Sequence, residues 1–156
     1  MDGIKIYLAA PIVGISDDWK NKIATVRQIL KYTFKNVYDP SEHGVPNAWG
    51  MTMEEWSKCI FALDVVAIDN CDWVVVCDFG RDNTAGTAWE VGYAFGKEKK
   101  ILIIKMADDS TNYSVMMNGC SSNSISFEKF INQKAFDDIS NLFVERGRLQ
   151  AEEVFN

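Results

Sequence analysis

The sequence predicts an α/β fold: a doubly wound, flavodoxin-like or Rossmann-like parallel sheet of about five strands, with helices on both faces. The first observation is a strand–loop–helix–strand pattern, with apolar strands at residues 73–77 and 100–104, a polar loop at 78–86 and a helix at 87–97. Such a βαβ unit places its two strands parallel in one sheet. The second is that about five apolar runs alternate with helical patterns along the chain, as in doubly wound sheets.

The elements before this unit follow from helical spacing and from residues that end regular structure. Residues 4–10 form an apolar first strand, and Ser16 is a suitable N-cap for a helix over residues 16–34. That helix carries apolar residues at helical spacing, namely Trp19, Ile23, Val26 and Leu30. A short strand begins at Val37, a loop covers residues 41–50, and a second helix covers residues 53–69. We expect the loop to lie over a ligand-binding cleft.

The elements after the unit are shorter and less regular. The sequence predicts one helical turn at residues 113–118, a fifth strand at 124–127 and a helix at 130–146. The inward residues of that helix are expected to be Ile131, Phe136, Ile139, Leu142 and Phe143. In the helix at 87–97, Ala88, Gly92 and Gly96 form a stripe of small residues. The stripe allows close approach of the sheet or of a partner helix, and we expect the sheet.

The composition limits the class of protein. A chain of 156 residues with 47% hydrophobic residues is expected to form one domain over residues 1–156. A net charge of −6 argues against binding to nucleic acid, which needs a basic surface. Apolar runs stay well below the roughly 18 residues of a membrane span, and the N-terminus does not resemble a signal peptide. Four scattered cysteines and a single histidine predict a cytoplasmic protein with reduced thiols and no metal site.

Glu90 is the first candidate for chemistry. The predicted helix start places it in the first helical turn, beyond the carboxyl end of the central strand, where ligands of open α/β sheets bind. The helix N-terminus favours negative charge, so Glu90 is expected to be ionised at neutral pH and able to act as a nucleophile. The alternative is that Glu90 only complements the helix dipole.

Asp64 is the second candidate. It shares one helix face with Trp56 and Ile60 and is surrounded by apolar residues in the segment IFALDVVAI. Burial there raises a carboxyl pKa, which suits a general acid. The alternative is a surface aspartate at the edge of an amphipathic helix.

Three segments together resemble the nucleoside 2-deoxyribosyltransferase family. They are IYLAAP in the first strand, an Asp eight residues before the Asp that opens the central strand, and GTAWEVGYAFGKEKKILII. The dinucleotide-binding G-x-G-x-x-G and the Walker A motif are missing from the sequence. The resemblance implies transfer of a 2-deoxyribosyl group between nucleobases through a covalent glycosyl-enzyme, with a nucleoside or nucleotide and a free nucleobase as ligands and without a cofactor.

The resemblance also implies roles for individual residues. Glu90 matches the family nucleophile, Asp64 the residue that protonates the leaving base, and Tyr7 the tyrosine that orients the nucleophile. Trp56 stands where the family often has an aromatic residue in the base pocket. Ser114 and Met116 match a segment that a neighbouring subunit lends to the sugar site, so the chain is expected to form a dimer-based homo-oligomer.

The 5' end of the substrate is where the chain departs from the transferases. Thr84 stands where they usually carry the Asp that holds the 5'-hydroxyl, and related deoxynucleoside 5'-monophosphate N-hydrolases place a Ser at that spacing to bind the 5'-phosphate. Asp82 could replace the missing Asp, Arg81 could pair with a phosphate, and the segment that begins at Gly86 is closer to the transferases. Ala9 is expected to suit a sugar without a 2'-hydroxyl. We therefore favour a transferase, with a nucleotide N-glycosidase and a non-enzymatic, flavodoxin-like nucleotide-binding module as alternatives.

Overall fold

A five-stranded parallel sheet forms the centre of the computed structural model, which describes residues 3–80, 84–108, 112–132 and 136–143. The strand order is β2-β1-β3-β4-β5, and every described pair of neighbouring strands is parallel. The strands are β1 (Lys5–Ala9), β2 (Asn36–Tyr38), β3 (Trp73–Asp78), β4 (Lys100–Lys105) and β5 (Asn123–Ser126). This is the flavodoxin-like order, so the predicted fold class is confirmed.

Helices cover both faces of the sheet. They are α1 (Asp17–Thr33), α2 (Met53–Asn70), α3 (Ala85–Gly96), α4 (Val115–Cys120), α5 (Phe127–Ile131) and α6 (Phe136–Asn141). Ile6 and Leu8 of β1 point into a core that includes residues of α1, α5 and α6, while Tyr7 and Ala9 point into a second core with α2, α3 and α4. Alternate residues of β1 thus serve opposite faces, as the strand period requires.

The long helices begin where the sequence supplies N-caps. Ser16 caps α1 by accepting from Trp19 N, as predicted. Thr52 and Glu55 form a capping box at the start of α2. The loop predicted at 41–50 contains two short 3₁₀ turns, Pro40–Glu42 and Ala48–Gly50, so it is more regular than expected.

The prediction of one helix over residues 130–146 is wrong. Residues 130 and 131 belong to α5, which ends at Ile131. This helix begins at Phe127 because the Ser126 side chain caps it by accepting from Lys129 N. Phe130 is fully buried and Ile131 is exposed, the reverse of the expected inward set, whereas Ile139, Leu142 and Phe143 are buried as predicted. Residues 144–146 lie outside the described residues.

The sheet topology creates a crevice beside β1. From β1 the chain passes through α1 to β2 on one side, and from β3 it passes through α3 to β4 on the other. At such a switch point the connections diverge beyond the carboxyl ends of the strands and leave room for a ligand. None of the helices in the described part of the chain is long and apolar enough to cross a membrane.

Candidate active site

Three side chains from three elements converge beside the crevice: Tyr7 of β1, Asp64 of α2 and Glu90 of α3. Tyr7 is fully buried. Burial, and after it the charges of Glu90 and then Asp64, raise the pKa of the Tyr7 hydroxyl far above its usual range. The hydroxyl therefore lies within electrostatic reach of both carboxyl groups. These three residues are the ones to which the sequence assigned catalytic roles.

The helices aim the two carboxyl groups at Tyr7 through their buried faces. In α3, Thr87, Val91 and Ala94 are buried, and Glu90 follows Thr87 by three positions and so lies on the same side. In α2, Ile68 is the buried residue and Asp64 precedes it by four positions. The arrangement follows from helical spacing against the sheet.

The expected ionisation of Glu90 is wrong in two respects. α3 begins at Ala85 rather than at residue 87, so Glu90 lies in the second turn, where the helix dipole has already weakened. Burial raises the pKa of Glu90 to about 8, an effect that the Tyr7 hydroxyl partly offsets and Asp64 increases. Burial thus outweighs the dipole, and the carboxyl group is largely protonated at pH 7.

Two polar atoms at this point lack partners. Tyr7 Oη and Glu90 Oε2 are buried without a hydrogen-bond partner among the described residues. The Tyr7 O–H nonetheless faces both carboxyl groups closely enough to lower the pKa of each against the larger effect of burial. Buried polar atoms usually have a hydrogen-bond partner, so two such atoms without one at the same place are candidates for contact with a ligand.

Asp64 is half-buried, and burial raises its pKa. The nearby Tyr7 hydroxyl lowers this pKa and opposes part of that shift. This agrees with the prediction of a perturbed carboxyl group rather than a surface aspartate. A carboxylate and a carboxylic acid that flank one buried hydroxyl can supply a nucleophile and a proton donor.

An aromatic stack beside Tyr7 was not predicted. Tyr38 of β2 stacks on Tyr7 with ring centroids 5.7 Å apart, and His43 stacks on the other face of Tyr38 at 4.2 Å. Burial, and then the charge of Asp64, raise the pKa of Tyr38, so Tyr38 also lies near the site. The signal available in the sequence was the pairing of β1 with β2, which puts Tyr7 beside Tyr38.

The described residues that were predicted to bind substrate are spread over four places. Trp56 lines a separate apolar pocket of about 360 Å³ with Trp49 and Met53. Ser114 and Met116 line a groove of about 390 Å³ between α3 and α4. Ser114 caps α4 through Met117 N, and Met116 is 80% exposed.

The remaining predicted residues lie along β1 and at the start of α3. Ala9 is fully buried in the same core as Tyr7. Thr84 is the half-buried N-cap residue of α3, although its side chain does not make the capping bond, and Gly86 lies exposed in the first turn. Asp82 and Arg81 lie outside the described residues.

The two glycines of the small-residue stripe of α3 do not pack on the sheet, contrary to expectation, whereas Ala88 is partly buried against the core. A side chain at Gly92 or Gly96 would meet nothing within 4 Å, and Gly92 lines the groove beside α4. In the described part of the chain there is no cluster of three His, Cys, Asp or Glu that could hold a metal ion.

Comparison with known proteins identifies the family of the chain. The family model of nucleoside 2-deoxyribosyltransferases matches residues 6–134. None of the curated proteins matches the chain. A solved 2-deoxyribosyltransferase from Bacillus psychrosaccharolyticus is 20% identical, covers 93% of this chain and 99% of its own, and superposes with a TM-score of 0.72.

Two further solved structures share the fold. A conserved protein from Enterococcus faecalis is 19% identical, with a TM-score of 0.63 over 90% of this chain and 96% of its own. A CMP N-glycosidase from Clostridium botulinum is 21% identical, with a TM-score of 0.54 over 81% of this chain and 95% of its own. At these identities the structural likeness establishes the α/β fold alone.

Proposed function

The chain belongs to the nucleoside 2-deoxyribosyltransferase family, and from this premise we propose that it moves a 2-deoxyribosyl group between nucleobases through a covalent intermediate on Glu90. The observation that carries the proposal is the meeting of Glu90 and Asp64 at the buried Tyr7 hydroxyl. Retention of configuration needs one carboxylate as nucleophile and a second group at the leaving atom.

The reaction proceeds in two displacements. A Glu90 oxygen attacks C1' of the deoxynucleoside, the C1'–N bond breaks, and its electron pair goes to the base nitrogen. Asp64 gives its proton to the departing base, so the base and the Glu90 ester are neutral and Asp64 is left as the carboxylate. An incoming base then attacks C1', the ester bond to Glu90 breaks, and Asp64 recovers a proton from the new nucleoside.

The reaction depends on which of the two carboxyl groups, Glu90 or Asp64, holds the proton. The reactive form holds one proton, with Glu90 ionised and Asp64 protonated, whereas burial favours the proton on Glu90. The Tyr7 hydroxyl lies beside both groups and can accept a proton from Glu90 while it donates its own to Asp64, which converts one form into the other without net charge movement to solvent. The buried hydroxyl therefore has a role in proton placement as well as orientation.

The charges of the sequence favour a nucleoside over a 5'-monophosphate as the substrate. The sequence segments that follow β1, β3 and β4 (residues 10–16, 79–84 and 106–114) contain one basic residue, Arg81, against the acidic residues Asp82, Asp108 and Asp109. A phosphate needs cationic or N–H donors. Hydrolysis of a nucleoside 5'-monophosphate is the second candidate, because Thr84 offers a hydroxyl group at the start of α3, beside backbone N–H groups that suit an anion.

We propose further that the enzyme is a homo-oligomer. Apolar side chains of α2, α3 and α4 are exposed on one side of the chain, namely Phe61 (54%), Trp89 (43%), Phe95 (36%), Val115 (81%) and Met116 (80%). An apolar patch of this kind on a soluble fold marks an interface. The small residues Gly92 and Gly96, open on the same helix, allow a second copy to come close.

Two reaction mixtures, each in its own tube, test the proposed activity. One contains a 2'-deoxynucleoside and a different free base, the other a 2'-deoxynucleoside 5'-monophosphate alone, and released base and new nucleoside are followed by chromatography. A new nucleoside in the first tube supports the transferase. Free base in the second tube alone favours the hydrolase, and absence of turnover in both would refute either activity.

The covalent intermediate and the oligomer need separate measurements. Mass spectrometry of the protein mixed with a deoxynucleoside is expected to show a deoxyribosyl adduct that is missing in Glu90→Ala. Light scattering is expected to show a smaller species for Phe61→Glu than for the wild type. Tyr32→Glu, at a 90% exposed tyrosine of α1 on the other face, is the matched control.

A further inference from the structure

Three stacked rings lead from the surface of the protein to the carboxyl pair. Tyr7 and Tyr38 stand on neighbouring strands at paired positions, and their rings are 5.7 Å apart and inclined by 12°. The ring of His43 covers the outer face of Tyr38 at 4.2 Å and 4°. Tyr7 is fully buried, Tyr38 is half-buried and His43 is exposed, so the stack runs from an exposed ring to a buried one.

The turn that carries His43 is fixed to α1. Asp39, 4% exposed, accepts from Arg27 Nε, from Ser41 N at 2.9 Å and from Ser41 Oγ at 2.7 Å. One turn further along α1, Lys31 Nζ donates to both oxygens of Glu42 at 2.5 and 2.6 Å. The basic side chains of α1 therefore hold the 3₁₀ turn Pro40–Glu42, and this turn sets the place of His43.

We propose that Tyr38 and His43 are positioning residues for the reaction and that they act through the plane of the Tyr7 ring. The proposal deepens the proposed function and rests on it. The Tyr7 hydroxyl has no hydrogen-bond partner among the described residues to hold it. Packing of its ring is therefore what keeps its oxygen beside both Glu90 and Asp64, and the stacked ring of Tyr38 is one part of that packing.

A small movement of this ring is sufficient to matter. The hydroxyl is at the far end of the side chain, so a modest swing of the ring moves the oxygen by a large part of an ångström. Displacement of a catalytic group by about 1 Å lowers a rate on the order of 100-fold. Stacked rings at offset geometry resist such a swing, because the swing would separate or overlap the ring faces.

The test compares substitutions that keep an aromatic ring at position 38 or 43 with substitutions that remove it. Tyr38→Leu is expected to lower kcat about tenfold with KM changed less than about twofold, and Tyr38→Phe is expected to restore most of that loss. His43→Ala, at an exposed position that does not threaten folding, is expected to lower kcat severalfold, and His43→Phe to restore it. Tyr32→Leu, at the exposed tyrosine of α1, is the control for loss of a tyrosine.

The anchoring turn gives a second measurement. Lys31→Gln loosens the turn without leaving the buried Asp39 unpaired, since Arg27 remains. Combined with His43→Ala, it is expected to add no further loss of kcat, because both changes act through the same ring. Additive losses would overturn the proposed route from α1 to Tyr7.

Each remaining result is also decisive. A loss confined to KM in His43→Ala would show that His43 contacts substrate instead of positioning Tyr7. Equal losses in Tyr38→Phe and Tyr38→Leu would assign the effect to the Tyr38 hydroxyl and overturn the stacking argument. If the wild type is active and every variant has the wild-type kcat, this inference alone is refuted. If the wild type is inactive, the proposed function and the inference are refuted together.

Discussion

The buried Glu90 carboxyl group makes the protein less stable as pH rises, and Glu90→Gln is expected to remove this dependence. The folded-state pKa of Glu90 is raised from 4.5 to about 8 by burial. Between these two values the folded protein binds more protons than the unfolded chain, so unfolding becomes easier as pH increases. A protonated carboxyl group and an amide have similar size and hydrogen-bonding groups, so the substitution isolates the charge.

The magnitude follows from linkage between the two pKa values. For one group with pKa values of 4.5 and about 8, the destabilisation is about 1 kcal/mol at pH 5, about 3 at pH 7 and about 5 at pH 9. Glu90→Gln is expected to recover these amounts. With an m-value of about 2 kcal/mol per M, the urea midpoint at pH 7 rises by about 1.5 M.

The assay is urea unfolding of both proteins at pH 5, 7 and 9. The difference between variant and wild type is expected to grow with pH. Glu98→Gln makes the same chemical change at an exposed position and is expected to alter the free energy of unfolding by less than about 0.5 kcal/mol at each pH. A variant that is equally or less stable than the wild type at pH 9 would refute the buried, charge-penalised state of Glu90.

Two substitutions and the pH profile of the wild type test the charges of the site. Asp64→Asn is expected to lower kcat most for nucleosides with poor leaving bases, and equal losses for good and poor leaving bases would contradict the acid role. Thr84→Asp is expected to shift the kcat/KM ratio toward nucleosides and away from 5'-monophosphates by at least about tenfold, through repulsion of the phosphate; an unchanged ratio would place the 5' end elsewhere. The wild-type kcat/KM is expected to be bell-shaped in pH, falling above about pH 8 as the pair loses its last proton and falling in acid as the second carboxylate is protonated. A flat profile between pH 7 and pH 10 would contradict a shared proton.

The sheet could be predicted because its signals are local. Val74 to Val76 and Ile101 to Ile104 are continuous apolar runs, and both are fully buried in neighbouring strands. Ser16 and Thr52 mark helix starts by side-chain chemistry alone. The prediction failed in the C-terminal region because Ser126 caps a helix that starts directly after β5. The inward position is one residue earlier than predicted, so Phe130 is buried and Ile131 is exposed.

The meeting of Tyr7, Asp64 and Glu90 could be predicted from the sequence, whereas their electrostatics and the positions of the predicted substrate-binding residues could not. The position of Glu90 beyond the central strand and the apolar surroundings of Asp64 indicated the site, but the depth of burial depends on how α2 and α3 pack together over β1. That depth reverses the expected charge of Glu90. His43 was missed for a related reason: its stacking depends on a turn held by Arg27 and Lys31, which are distant in sequence from Tyr7.

The distribution of unpaired polar atoms links stability to function in this fold. Of the three buried side-chain polar atoms without a hydrogen-bond partner in the described residues, two are Tyr7 Oη and Glu90 Oε2, and the third is Ser124 Oγ. Each such atom costs about 1–3 kcal/mol. Placing two of them together is unfavourable for folding alone, since exchange of either group for an apolar one would remove the penalty. The pairing is therefore best explained by a reaction that uses both atoms, and the large apolar cores on either face of the sheet offset its cost.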